Sequence, residues 1–213
     1  MSGPRRHVAL SRAALEHNLG MIAAQRSPQG VVLDVRADAF GHGAVDVARI
    51  ASGFGFVWFA EDAASAARVD DALTAVLYGT AFGGEPVMTA SGEVIAVKQV
   101  EAGEPVSYGY THRIGAPGRL ALVGLGYADG VPRSASSRVE ASVAGRRALV
   151  AGRIAMDQLM LEIGDAEVRR GDEVVLWGAG EAPRVGEWAA ASGFSPLALT
   201  AGLGRRFTRE WRA

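Results

Sequence analysis

Cysteine is absent from the 213 residues, and lysine occurs once, at position 98. The lack of cysteine excludes disulfides, thiolate catalysis and sulfur-ligated metal sites. No apolar run reaches the roughly 18 residues of a membrane-spanning helix, and the first residues lack the charged-then-apolar pattern of a secretion signal. A net charge of −1 disfavours binding along a nucleic-acid backbone. We therefore expect a cytoplasmic protein with no membrane partner and no nucleic-acid partner.

Hydrophobic residues make up 49% of the chain, which is enough for a globular core. Ser11 is a predicted helix N-cap, and Leu15, Leu19 and Ile22 recur at helical spacing, so a first helix is predicted to run to about Gln25. Strands and helices then alternate, with strands predicted over 31–35 and 54–60 and helices over 43–52 and 61–71.

The pattern changes from residue 93 onward, where short strands are separated by glycine-containing turns. This pattern predicts an all-β lobe. Strands are predicted over 93–100, 106–111, 120–125, 139–143, 148–153, 158–163 and 173–177, with a helix over 185–192. We place the lobe boundary in the stretch 82–86, which divides the chain into domains of residues 1–84 and 85–213.

Four ordered motifs carry a resemblance to a known family. They are Val-Arg-Ala-Asp-Ala-Phe-Gly-His-Gly at 35–43, Glu-Pro-Val-Ser-Tyr-Gly-Tyr-Thr at 104–111, Gly-Tyr-Ala-Asp-Gly-Val-Pro-Arg at 126–133 and Gly-Arg-Ile-Ala-Met-Asp-Gln at 152–158. Together they resemble the alanine racemases, a family of pyridoxal phosphate enzymes. The resemblance implies a barrel of eight strand-helix units, whose last strand is predicted over 75–79, followed by a β domain, and a head-to-tail homodimer.

A complete barrel of this type needs about 250 residues, more than the whole chain. We therefore expect an α/β remnant of a TIM-type barrel, with about three strands kept, joined to a C-terminal all-β lobe. The fold class expected for the whole chain is α+β.

The resemblance also implies a lysine at position 36, which would hold pyridoxal phosphate as a Schiff base. Arg36 cannot form this bond, because a guanidinium stays protonated and is a poor nucleophile. The family has a tyrosine where this chain has Phe40, and a phosphate-contacting Tyr-Glu pair where it has Leu197-Ala198. From these departures we expect no cofactor and a protein that is not an alanine racemase.

The acid-base motifs, by contrast, are retained. The resemblance implies that Tyr127 is a catalytic base that reaches across a dimer interface, and that Met156 and Asp157 border the substrate carboxylate. A phenol can act as a general acid, or as a base when neighbouring cations lower its pKa. The predicted catalytic residues are Tyr127, Arg36 and Asp157. The predicted residues that bind a small-molecule ligand are Arg133, Met156, His42, Phe40 and Trp58. Histidine spacing indicates no metal site.

Six of these residues also have a structural interpretation. Tyr127 fits a half-buried strand residue, Arg133 an ion-pair partner and Met156 a core filler, and Asp157 fits a turn cap or a group that orients Arg133. His42 fits a packing role, and Trp58 fits a plug for the gap left by missing strands.

Two functions follow from these alternatives. The first is a cofactor-independent isomerase, cyclase or lyase that uses tyrosine acid-base chemistry on a small metabolite in bacterial specialised metabolism, for example natural-product biosynthesis. The second is a non-catalytic binding or regulatory module, a pseudoenzyme that dimerises through the racemase interface.

Overall fold

The computed structural model describes residues 3–62, 64–81 and 83–213. The strands are β1 (Arg6–Ser11), β2 (Val32–Asp34), β3 (Trp58–Ala60), β4 (Met88–Val100), β5 (Pro105–Val106), β6 (His112–Arg113), β7 (Gly118–Val123), β8 (Glu140–Val143), β9 (Arg146–Val150), β10 (Leu159–Gly164), β11 (Glu173–Trp177) and β12 (Thr208–Arg212). The helices are α1 (Arg12–Gln25), α2 (Arg36–Gly41), α3 (Ala44–Ser52), α4 (Asp71–Leu77), α5 (Val185–Ser192) and α6 (Pro196–Ala201).

The C-terminal lobe is a six-stranded antiparallel barrel. Its strands follow the order β11-β8-β9-β10-β7-β4, and a pairing of β11 with β4 closes the circle. Alternate residues of β10, Leu159, Leu161 and Ile163, face the buried interior, as the two-residue period of a strand requires. Closure pairs each barrel strand on both sides. The side chains that face the barrel interior form a hydrophobic core of this lobe. The predicted all-β lobe is confirmed.

The N-terminal lobe has a second core, built mainly from α1, α3, α4 and the two short strands β2 and β3. Helix α1 begins where predicted, because the Ser11 hydroxyl accepts a hydrogen bond from the Ala14 amide at 3.1 Å. It buries Leu15, Leu19 and Ile22 on one face. Strands β2 and β3 pair in parallel, with Leu33 opposite Phe59.

The predicted remnant of a TIM-type barrel is not shown. In the described part of the chain, β2 pairs with β3 alone, whereas β1 leaves this lobe to lie between β4 and β12. The strand predicted over 75–79 was wrong, since these residues finish α4 and the turn after it. The Asp70 carboxylate explains the helix, because it accepts hydrogen bonds from the Ala72 and Leu73 amides and caps the first turn.

Two further predictions were wrong in detail. Residues 106–111 do not form one strand, because the chain turns at Tyr108–Tyr110 and returns, so that β5 and β6 pair as a hairpin. In place of a helix over 61–71, the described residues contain a short 3-10 turn at Ser65–Arg68. Residue 63 of that predicted helix and Phe82 of the proposed boundary lie outside the described residues.

Among the described residues, no helix is both long enough and apolar enough to cross a bilayer.

Candidate functional site

The two motif loops of the C-terminal lobe are joined through their backbones. The Tyr127 amide donates to the Ala155 carbonyl at 3.0 Å, and the Ala128 amide donates to the Met156 carbonyl at 2.9 Å. Only a glycine fits at position 126, where a Cβ atom would lie 2.3 Å from the Met156 carbonyl oxygen. The close approach fixes Tyr127 beside the Met156 loop.

These loops form one wall of a cavity of about 440 Å³. The cavity is lined by Tyr108, Tyr127, Arg133, Arg153, Ile154, Ala155, Met156, Asp157 and Gln158. The structure therefore brings together four of the predicted site residues, Tyr127, Arg133, Met156 and Asp157. Their chemical roles stay predictions.

The predicted structural alternatives can be compared with the geometry. Tyr127 and Met156 are exposed to 41% and 54%, and neither belongs to a buried core. The guanidinium carbon of Arg133 lies 6.0 Å from the centre of the Tyr127 ring, which is cation–π distance. Arg133 thus contacts the phenol face.

Asp157 is held by Arg206, whose Nη1 donates to its carboxylate at 2.7 Å. Arg206 Nε also lies 2.8 Å from the buried carboxylate of Asp129, and Arg6 Nε lies 2.8 Å from the same oxygen. That oxygen has no aligned hydrogen-bond donor, so both contacts are electrostatic. The hydrogen bond from Arg206 to Asp157 raises the pKa of Arg206, and the charge of Asp129 adds to the effect.

Asp129 links this ion-pair chain to the site loop. Its second carboxylate oxygen accepts a hydrogen bond from the Gly126 amide at 2.9 Å. The chain of contacts from Arg6 through Asp129 and Arg206 to Asp157 therefore connects the first strand to the cavity.

Tyr108 and Arg153 were missed by the sequence reasoning. Tyr108 lies in the turn between β5 and β6, and 75% of its surface is exposed. The adjacent Gly109 has φ +78°, and a Cβ atom at this position would lie 3.3 Å from the guanidinium carbon of Arg153. Tyr108 and Arg153 lie within the family-like motifs at 104–111 and 152–158, which were the signal available in the sequence.

A second, more apolar cavity of about 400 Å³ adjoins the first. Both cavities share Tyr108, Arg153, Ala155 and Gln158, and Tyr110 lines the second alone. All described lining residues of both cavities belong to the C-terminal lobe.

The other predicted site residues lie in the N-terminal lobe and line neither cavity. Phe40 packs edge-on against Tyr78, with ring centres 5.5 Å apart. Trp58 is 53% exposed, so it does not plug a gap, and Phe59 packs on the core instead. The predicted grouping of Arg36, His42, Phe40 and Trp58 with Tyr127 does not occur within this chain.

His42 is completely buried against the Tyr78 ring, with ring centres 4.6 Å apart. Burial lowers the pKa of His42 to about 4, because the desolvated imidazolium is unfavourable. Nδ1 lies 2.8 Å from the Ala39 carbonyl, and Nε2 has no hydrogen-bond partner in the described structure.

Arg36 begins a strained segment, α2. Residues Ala37, Asp38, Ala39 and Phe40 all have φ between 52° and 56°, so α2 is a left-handed turn. Such backbone costs roughly 1–2 kcal/mol per residue. The turn is held by the Asp38 carboxylate, which accepts from the Ala44 amide at 2.8 Å, and by the Gly43 amide, which donates to the Asp38 carbonyl at 2.9 Å.

The Arg36 guanidinium is bound to the carboxylate of Asp34. Nε and Nη2 donate to its two oxygens at 2.9 and 2.6 Å, and the Asp34 side chain is 1% exposed. Pyridoxal phosphate, the cofactor that the resemblance implies for the family, does not fit this position. An arginine offers no amine for a Schiff base, and this arginine is already paired. Leu197, at the expected phosphate contact, packs on the N-terminal core.

Within the described residues, no group of three or more potential ligands could hold a metal ion.

Comparison with known proteins identifies the C-terminal lobe. A model of the family described as alanine racemase, C-terminal domain, matches residues 87–211. The alanine racemase of Frankia casuarinae is 41% identical over 133 residues, which is 62% of this chain and 35% of that protein. The alanine racemase of Salinispora arenicola is 46% identical over 117 residues, 54% of this chain and 32% of that protein. The chain spans about a third of the length of these curated relatives.

Solved structures match the fold of the whole chain. The alanine racemase from D-cycloserine producing Streptomyces lavendulae has a TM-score of 0.85 at 20% identity, over 100% of this chain and 98% of that chain. The alanine racemase from Streptomyces coelicolor A3(2) has a TM-score of 0.84 at 21% identity, over 97% and 98%. At this identity the likeness is one of fold.

The sequence-based prediction that the protein is not an alanine racemase but a cofactor-independent isomerase, cyclase or lyase was wrong. Relatives at 41–46% identity are named alanine racemases, which conflicts with that prediction. The error arose because the prediction relied on Arg36, whereas the match to the family model lies in the C-terminal lobe.

Proposed function

This chain belongs to the alanine racemase C-terminal domain family, and on that premise we propose that it forms the tyrosine-bearing half of a racemase-type active site. The other half, with the lysine and its cofactor, is a barrel supplied by a complete alanine racemase subunit. The reaction served is the racemisation of alanine, the activity named for the relatives.

The observation that carries this proposal is the open tyrosine surface. Tyr108 and Tyr127 face cavities whose described lining comes entirely from the C-terminal lobe. A site of this kind is incomplete until a second molecule covers it. The resemblance of the motifs implies that this second molecule is a barrel-bearing subunit, since family members place a tyrosine of this lobe in the barrel of a neighbouring subunit.

Exposure favours Tyr108 as the group that carries a proton. Tyr108 is 75% exposed, whereas Tyr127 is 41% exposed and its ring lies under the Arg133 guanidinium. In this arrangement the phenol oxygen of Tyr108 donates or accepts a proton at the substrate, and Tyr127 forms the adjoining wall. The guanidiniums of Arg133 and Arg153 offer charge-assisted hydrogen bonds to the substrate carboxylate.

A complementation experiment tests the proposal. A complete alanine racemase, inactivated by Tyr→Phe changes at the positions equivalent to Tyr108 and Tyr127, would be co-expressed with this chain. We expect a mixed dimer in native mass spectrometry and restored alanine racemisation. Tyr108→Phe in this chain should remove the restored activity, whereas Phe194→Leu, a change at an exposed aromatic residue that lines neither cavity, should leave it.

A second candidate role is regulation without chemistry. The observation that favours it is the Arg36–Asp34 pair, because this chain then contributes no lysine at position 36 to a mixed dimer. In that case the mixed dimer would form, but the wild-type chain would lower the activity of an unmodified racemase and restore none. The absence of any mixed dimer would contradict both roles.

A further inference from the structure

Asp34 is an unusual residue for the end of a buried strand. All three residues of β2 are buried, and the Asp34 side chain is 1% exposed. A buried carboxylate is costly unless it is paired. Here it receives two hydrogen bonds from the Arg36 guanidinium and a third, at 3.1 Å, from the Arg36 amide.

The backbone around the pair leaves little freedom to separate the two side chains. Tyr78 donates its hydroxyl hydrogen to the Asp34 carbonyl at 2.6 Å, which fixes the end of β2. The Ala39 amide donates to the Val35 carbonyl at 2.8 Å and fixes the start of the left-handed turn. A cationic side chain at position 36 therefore emerges beside the Asp34 carboxylate.

This geometry has a consequence for any amine at position 36. Condensation of an amine with an aldehyde forms a C=N bond and releases water, and the ammonium must first give up a proton. A neighbouring carboxylate favours the protonated form. An ammonium beside Asp34 would therefore stay charged and unreactive.

We propose that Asp34 is a specificity-determining residue that closes this lobe to aldehyde cofactors such as pyridoxal phosphate. It replaces a covalent anchor with an internal ion pair, so that restoring a lysine at position 36 does not by itself restore the anchor. The pair lies in the N-terminal lobe, so this inference does not depend on the role of Tyr108.

The test compares Arg36→Lys with the double variant Asp34→Asn/Arg36→Lys. Both variants also carry Lys98→Arg, which removes the one native lysine. Lys98 pairs with Glu104 at 2.6 Å, and arginine keeps a cation at this position. Each protein is incubated with pyridoxal phosphate, reduced with borohydride and mapped by peptide mass spectrometry. We expect at least about tenfold more label at position 36 in the double variant than in Arg36→Lys.

Two results would overturn the proposal. One is equal labelling of position 36 in the single and double variants. The other is a double variant that has the melting temperature of the wild type and still takes no label at position 36. In that case another part of the lobe, and not Asp34, would exclude pyridoxal phosphate.

A second measurement covers the case in which the double variant does not fold. In Arg36→Lys with Lys98→Arg, the sole lysine can be observed by NMR through its ε-carbon during a pH titration. We expect the pKa of this lysine to lie above the reference value of about 10.4. A value at or below the reference would show that Asp34 does not hold the cation, and the proposal would fail.

Discussion

At the scale of single residues, the most consequential feature is that position 36 is occupied by a paired cation. The buried carboxylate of Asp34 compensates Arg36, and the ion pair raises the pKa of Arg36 through its hydrogen bond to Asp34. Asp34 and Arg36 are thus physically coupled, because each compensates the charge of the other.

This coupling predicts the stability of variants. Arg36→Leu should lower the free energy of unfolding by about 2 kcal/mol, because Asp34 is left buried and unpaired, although the partly exposed arginine moderates the cost. Asp34→Val/Arg36→Leu should lose less than the sum of the single changes. Urea unfolding of the four proteins measures the coupling, and additive losses would contradict it.

His42 predicts a dependence of stability on pH. The unfolded chain protonates this histidine near pH 6.5 and the folded chain near pH 4, so the unfolded state binds more protons between these values. Stability should therefore fall as the pH drops through this window, by up to about 3 kcal/mol. The groups acting on His42 include Arg209, which lowers the pKa, and Asp38, which raises it.

The measurement is urea unfolding at pH values from 7 to 4. His42→Phe should flatten the slope in this window, whereas His17→Gln, an exposed histidine on α1, should keep the wild-type slope. Identical slopes for wild type and His42→Phe would rule out His42 as the origin.

At the scale of elements, the site depends on the contact between the loop at Gly126 and the loop at Met156. Gly126→Ala should destabilise the protein by at least about 2 kcal/mol, since its Cβ would overlap the Met156 and Ala155 carbonyl oxygens. Gly186→Ala is the matched control, because a Cβ in that turn of α5 meets nothing within 4 Å. Thermal unfolding should separate the two, and an unchanged Gly126→Ala protein would show that the loops move apart freely.

Local signals predicted the elements that local chemistry determines. The Ser11 cap located α1, and the pattern of short strands between glycine-containing turns located β11 at its observed bounds. The helix predicted over 185–192 also has its observed bounds as α5. Residues 75–79 were mispredicted because the resemblance implied a barrel strand there, whereas the Asp70 cap begins a helix that runs to Leu77. No local signal indicated that β1 would join the other lobe.

The candidate site was predictable in part. The motifs at 126–133 and 152–158 predicted that Tyr127, Arg133, Met156 and Asp157 would converge. They did not predict Tyr108, since its position depends on the hairpin of β5 and β6. Nor did they predict Arg206, which reaches Asp157 from a segment 49 residues away.

At the scale of the whole molecule, the two cores differ in how their strands are supported. The β2–β3 pair has three residues per strand and no further strand in the described structure, whereas the barrel strands are paired on both sides. Two-stranded sheets are marginal by themselves. The N-terminal lobe therefore depends on its helices for most of its stability.

Hydrogen exchange should reveal this difference. Amides of β2 and β3 should exchange at least about tenfold faster than those of β4 and β7, because local opening costs less where fewer strands cooperate. Peptide-resolved mass spectrometry measures both lobes in one sample. Equal protection would mean that the lobes unfold as one unit.

The same measurement can be made with a barrel partner bound. Slower exchange at β2 and β3 in that complex would show that the partner covers these strands.

The pairing of β1 with β12 joins residues that are far apart along the chain, since the Thr208 hydroxyl reaches the Arg6 carbonyl across 202 positions. During synthesis on the ribosome, β1 emerges long before its outer partner exists. One edge of β1 thus stays unpaired while the 202 positions between Arg6 and Thr208 are synthesised, and β12 completes the sheet only after both lobes have emerged.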